Sequence, residues 1–209
     1  MSNSVALKQQ RGLDLREILA VRLKWLLFIV VLGTFSSSLL MGLSYLIPSN
    51  LAGLELEMKR GVLMALDLDF TEGNIDRVFQ EHITVEELEE LTLYWSKEGG
   101  VAFTFTGMGF QGPISGIIGL QPGRKTLRGL VIMQQQETPG LGGRITEQEF
   151  LRQFKGLAMD PRLVILPAGR KATAENEVEG ITGATMTIQA LEDMLNRRIL
   201  AVVQKLEVN

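Results

Sequence analysis

The chain has 209 residues, an apolar share of 45% and a formal net charge of -3. That suits one domain of ordinary size, or a smaller domain with an anchor, and leaves no basic footprint for nucleic acid. With no cysteine and His82 as its single histidine, it excludes disulfides, iron–sulfur clusters, thiolate zinc and multi-histidine metal sites, so any redox chemistry has to come from an organic cofactor.

Residues 1–24 carry Lys8, Arg11, Arg16, Arg22 and Lys24; Asp14 and Glu17 also lie there, but acidic residues weigh little in the orientation rule. Trp25 to Ile47 then runs 23 residues without a charge, enough to cross a hydrocarbon core of about 30 Å as a helix. Trp25 and Tyr45 sit near its ends, where amphipathic rings favour the interface. The flank after the span, Glu55, Glu57, Lys59 and Arg60, is less cationic. Residues 1–24 are therefore expected in the cytoplasm and residues 48–209 outside. The run is long for a signal-peptide core and no clear cleavage site follows, which favours an uncleaved single-pass anchor.

Pro48-Ser49-Asn50 ends the span. Leu51 to Leu66 reads as a helix with Leu54, Met58, Val62 and Ala65 on one face. Gly73-Asn74 is a break, and Ile75–Ile83 and Val85–Leu91 read as short helical segments. The second carries Glu86, Glu87, Glu89 and Glu90, a solvated face. From Val101 the period changes to two, with Val101, Phe103 and Phe105 alternating against Ala102, Thr104 and Thr106. The apolar runs Ile114–Leu120 and Leu127–Met133 flank Gln121-Pro122-Gly123-Arg124, an antiparallel hairpin signal. Thr146 to Glu149 fits a capping box before a short helix bearing Phe150 and Phe154, which Gly156 stops. Leu163–Leu166 is a further strand, and Ile188, Leu191, Leu195, Ile199 and Val202 follow helical spacing. The predicted class is α+β: an antiparallel sheet with flanking helices, preceded by one N-terminal transmembrane helix.

Two segments carry chemistry. Gly180-Ile181-Thr182-Gly183-Ala184-Thr185-Met186-Thr187 leads into the last helix. Its small residues keep the backbone open, and a helix start offers unpaired N–H groups and a positive dipole end that favour a phosphate. A threonine there could hold a phosphorylated ligand; equally, Thr182, Thr185 or Thr187 could simply be an N-cap. The other segment, Glu137-Thr138-Pro139-Gly140-Leu141-Gly142-Gly143, is a tight loop after a strand. Glycine there permits close approach to a flat ligand, though such loops are also ordinary connections. Neither a P-loop nor a Rossmann glycine pattern occurs.

Taken together, Glu137-Thr138-Pro139-Gly140-Leu141-Gly142 and Thr182-Gly183-Ala184-Thr185-Met186-Thr187 resemble the FMN-binding domain family. Its best-known members are the C subunit of the sodium-translocating NADH:quinone oxidoreductase and the G subunit of the Rnf complex. Gly107-Met108-Gly109-Phe110-Gln111-Gly112-Pro113-Ile114 is similar to a further element of the family. The Phe150–Gly156 stretch, the single span and the helix near Val62–Leu66 also have counterparts there. The glycine that ends E-T-P-G-L-G leans toward the sodium-pump protein.

The resemblance implies that a flavin transferase uses FAD and magnesium to place FMN on Thr185 through a phosphodiester. Thr182 takes the motif's first hydroxyl position, Gly183 and Ala184 its small pair, and Thr187 lies just beyond the acceptor. Glu137, Thr138, Pro139, Gly140, Leu141 and Gly142 are implied to bind near the isoalloxazine. Glu179 stands where the family usually has aspartate. The implied function is that of an inner-membrane electron-transfer subunit, its FMN domain on the periplasmic side, with other membrane subunits of a sodium-pumping or Rnf-type redox complex as partners. No catalytic acid–base residue is expected. The alternatives are a stand-alone anchored periplasmic flavoprotein and a non-redox assembly subunit.

Overall fold

The computed structural model describes residues 3–46, 51–88 and 91–208. It separates into two compact units, Met1–Asn50 and Leu51–Asn209.

Among the described residues, the first unit is a single helix, α1 (Asn3–Leu46). Within it, the 26 residues Ile18–Leu43 form an apolar stretch with no buried residue. At about 1.5 Å per residue that stretch is longer than a hydrocarbon core of about 30 Å. The helix runs through Arg22 and Lys24, inside that stretch, and on through the uncharged residues from Trp25 without a break. The predicted stop at Pro48-Ser49-Asn50 lies outside the described residues.

The second unit is built on a five-stranded antiparallel meander. Its strands are β1 (Ile83–Leu88), β2 (Leu91–Ser96), β3 (Val101–Met108), β4 (Pro113–Leu120) and β5 (Leu127–Gln134), neighbouring one another in that order. The period-two alternation read at Val101 sets the layers. In the register, Phe103 faces Ile118 and Ile118 faces Leu130, while Thr104 faces Ile117. Phe103, Phe105, Ile118 and Leu130 join a core with Phe150 and Phe154 of the α4 region (α4, Gln148–Arg152) and with Ile188, Leu191 and Leu195 of α5 (Thr185–Val208). Ala102 and Ile117 point the other way, into a second core with Val62, Leu63 and Leu66 at α2 (Leu51–Ala65) and Ile75 and Phe79 of α3 (Ile75–His82). Both faces of the sheet are thus covered, which is why β4 reads as an apolar run instead of an alternation. Gly119 on β4 lets the Ala65 carbonyl of α2 come against the strand, where a Cβ would clash.

Four local expectations change. Val85–Leu91 is not a helix: Ile83–Leu88 is the edge strand β1, paired with β2 from Ile83↔Ser96 to Leu88↔Leu91. Glutamates suit a helix, but the sheet edge decides, since β1 buries only Ile83 and turns Thr84 to Glu87 to solvent. Charged side chains on an edge also discourage further pairing. Glu89 and Glu90 lie outside the described residues. Leu54 is 61% exposed and lies off the buried face of α2.

The Thr146 capping box does not form. Glu147 occupies the cap of α4 without a side-chain cap bond, and the Thr146 hydroxyl donates to the Gly143 carbonyl of a 3-10 turn, Gly142–Thr146. Finally, the predicted 163–166 strand is short, β6 (Val164–Ile165), and pairs in parallel with β7 (Glu177–Val178), which the sequence did not signal. The aromatics of β2 serve packing: Tyr94 lies edge-on to Phe79, and Trp95 donates to Glu86 at 2.6 Å beneath the Arg124 guanidinium.

Candidate functional site

The last helix starts at Thr185. The Ile188 amide donates to the Ala184 carbonyl at 2.9 Å, which makes Ala184 the capping position. Ala184 has no side-chain oxygen, so none of the three threonines occupies the cap. Their hydroxyls have different surroundings. Thr182 and Thr185 are exposed, whereas Thr187 is 3% exposed. Thr185 therefore stands in the first helical turn, where backbone amides lack partners four residues back. Beside it are Gly183 and Ala184, too small to obstruct the approach of a phosphate.

Thr187 is engaged from within. Its hydroxyl donates to a Glu137 carboxylate oxygen at 2.6 Å, and the other carboxylate oxygen accepts from the Gln111 amide at 2.9 Å. Glu137 is only 5% exposed. A buried carboxylate needs such donors, because removal from water without them is costly. The Glu137 amide donates to the Gln135 side-chain oxygen at 2.6 Å. One carboxylate thus ties together three segments: the 109–112 loop after β3, the 137–142 loop after β5 and the start of α5.

The glycine pattern fits that tie. A Cβ on Gly142 would sit 2.5 Å from the Thr187 hydroxyl and 2.7 Å from a Glu137 oxygen. Gly183 has φ +77, and its missing Cβ would lie 2.7 Å from Leu141 Cδ2. The 137–142 loop therefore lies directly against the segment carrying Thr185. Within the loop, the Thr138 carbonyl accepts from the Leu141 and Gly143 amides at 3.2 and 3.0 Å, while Pro139 and Gly140 are exposed. The Glu137 side chain is turned inward, where it holds the loop against the start of α5.

Four large apolar side chains on or beside these segments are exposed. Leu141 is 45% exposed, Met186 56%, Phe110 58% and Met108 69%. The family resemblance implies a binding role for Leu141 but none for Met108, Phe110, Gln111 or Met186, although all four stand inside the motifs that carry it. The G-x-G element at 107–109 was the available signal, while exposure is a property of the folded surface alone. Glu179 lines a polar cavity of about 170 Å³ with Arg144 and Thr182. The Arg144 guanidinium there is paired with Glu147 of the same lining, which holds it above its ordinary pKa.

Residues 109–199 match the family model of the FMN-binding domain. Over 94 residues the chain is 35% identical to the G subunit of an ion-translocating oxidoreductase complex from Methanosarcina acetivorans, covering 44% of this chain and 45% of that one. It is 33% identical over 91 residues to the C subunit of the Na(+)-translocating NADH-quinone reductase of Pasteurella multocida, covering 42% and 35%. The matched stretch thus spans under half the length of these relatives, and the two identities do not separate the two complexes. The crystal structure of NqrC from Shewanella oneidensis superposes with a TM-score of 0.60 at 20% identity, over 67% of this chain and 89% of that chain. The fold is the one seen in NqrC.

Proposed function

We propose, from the FMN-binding domain matched over residues 109–199, that this chain is a membrane-anchored electron-transfer protein with FMN held covalently on Thr185. Its complex is of the sodium-pumping NADH:quinone oxidoreductase or Rnf kind, as in the relatives' names. One observation carries the reading: Thr185 is the exposed hydroxyl in the first turn of α5, while its neighbour Thr187 is locked to Glu137. Of the two hydroxyls on that turn, one is free to be esterified and the other is structural.

The residues present fit the cofactor. The first-turn amides of α5 and the small pair Gly183-Ala184 would take the phosphate. Leu141, Met186 and Phe110 offer exposed apolar surface for a flat ring on the segments that Glu137 joins. Attachment from FAD is a group transfer: the Thr185 oxygen bonds to the FMN phosphorus, AMP departs and the hydroxyl proton is lost. When bound, FMN supplies one- and two-electron transfer. The chain's own part is to hold the phosphate end, shield one side of the ring and keep the loop in place.

Anchoring rests on Ile18–Leu43, apolar and unburied. That stretch has no charged residue between Trp25 and Leu43, so an ion path would belong to other subunits. The periplasmic placement of the domain rests on the cationic 1–24 segment.

The test is in-gel flavin fluorescence of the denatured chain after co-expression with a flavin transferase. Fluorescence should co-migrate with the wild-type chain and vanish for Thr185→Ala. A non-fluorescent wild-type chain of unmodified mass would defeat the reading.

A further inference from the structure

Far along α5 from Thr185 lies a trough of about 900 Å³, between the C-terminal half of that helix, the β4–β5 turn at 123–125 and the loop at 159–162. Its apolar lining includes Met159, Leu200 and Val203, and Leu200 is 59% exposed. The stretch of α5 that it follows, 196–207, is about three helical turns long.

The rim is cationic in a chain whose net charge is -3. Arg124, Lys125, Arg162 and Arg197 line it, against Asp160 and Glu207. Two of the cations are committed: Arg124 donates to the Leu206 carbonyl and stacks on Trp95, and Arg162 is paired with Glu192. The other two are not. The Lys125 ammonium has no hydrogen bond or ion pair among the described residues, and Arg197 meets only the Asp193 carbonyl of its own helix. An apolar trough whose rim carries four cations against two carboxylates suits an amphipathic partner bearing carboxylates.

We propose that the trough receives an amphipathic helix of another subunit, its apolar edge on Leu200 and Val203 and its acidic side chains against Lys125 and Arg197. This rests on the reading that the chain works inside a multi-subunit complex. A second copy paired through the same trough would bring the same cations face to face, and one docked by another face would give an adduct with the chain's own sequence. A bilayer surface fits poorly, because a flat interface is met by protruding apolar groups and this surface is concave.

The test places p-benzoylphenylalanine at position 200 of the full chain in host membranes. After irradiation, the cross-linked peptide is sequenced by mass spectrometry. The expected adduct is a peptide of a different subunit, with apolar residues at i, i+3 or i+4 and flanking Asp or Glu. Charge reversal by Lys125→Glu with Arg197→Glu should lower its yield about tenfold, the effect of roughly 1.4 kcal/mol. All three positions are on the surface, so the fold is kept. In-gel flavin fluorescence is read on the same samples. A lipid adduct, an adduct with a second copy, a partner peptide without acidic residues, a yield indifferent to charge reversal, or no adduct would each overturn the docking proposal. Loss of fluorescence from the wild-type chain would instead strike at the flavin reading.

Discussion

Thr187 donates its hydroxyl hydrogen to Glu137 across 2.6 Å, over a sequence separation of 50, with both side chains buried. The bond fastens the start of α5 to the 137–142 loop. Thr187→Val keeps the shape and removes the donor, leaving a buried carboxylate short of one bond. The expected cost is about 1–3 kcal/mol by urea denaturation, together with weaker flavin loading although Thr185 is untouched. Unchanged stability would mean that water replaces the hydroxyl and the tie is dispensable.

Thr185→Ala removes an exposed hydroxyl outside the cap position. Stability should move by no more than about 0.5 kcal/mol, while covalent flavin disappears from the denatured chain. Thr185→Ser should retain it. Flavin persisting on the alanine variant would assign the acceptor elsewhere, with exposed Thr182 the next hydroxyl to replace.

Gly142→Ala adds a methyl group between Thr187 and Glu137, where both neighbours are buried and hydrogen-bonded. Overpacking of this kind costs about 1–3 kcal/mol, and the loop should shift away from α5. A melting temperature equal to wild type would show that the loop yields more freely than its hydrogen bonds suggest.

Glu177 accepts hydrogen bonds from the Thr173 and Ala174 amides at 2.8 and 3.1 Å. Those amides hold its pKa below the ordinary 4.5. A carboxylate with a depressed folded pKa stabilises fully above the unfolded value and loses that contribution as pH falls through the folded one. The stability gap between wild type and Glu177→Gln should therefore be constant at neutral pH and close below about pH 4.5. A gap that widens on acidification would reverse the sign and contradict the assignment.

The absence of cysteine makes orientation simple to measure. Lys171→Cys puts one thiol on an exposed loop of the second unit. A membrane-impermeant maleimide should label it in intact spheroplasts and should fail to label it in sealed inverted vesicles. The opposite pattern would place the domain in the cytoplasm.

Much of this protein is legible along the chain because the relevant signals are local. The uncharged run from Trp25 declares a long apolar helix, the Val101–Thr106 alternation declares a strand, although one covered on both faces where half-burial was expected, and two apolar runs about a Pro-Gly turn declare a hairpin. The motifs at 137–142 and 182–187 could be matched to a family by residue identity alone. What the chain could not show was decided by pairing partners distant in sequence. The glutamate-rich 83–88 segment is a strand because β2 lies beside it, and β7 exists only because β6 runs alongside. The same applies to the threonines. Spacing cannot tell Thr185 from Thr187, since both stand in the first turn of one helix. Only when the fold brings Glu137 against that turn does one hydroxyl become part of the interior and the other remain on the surface.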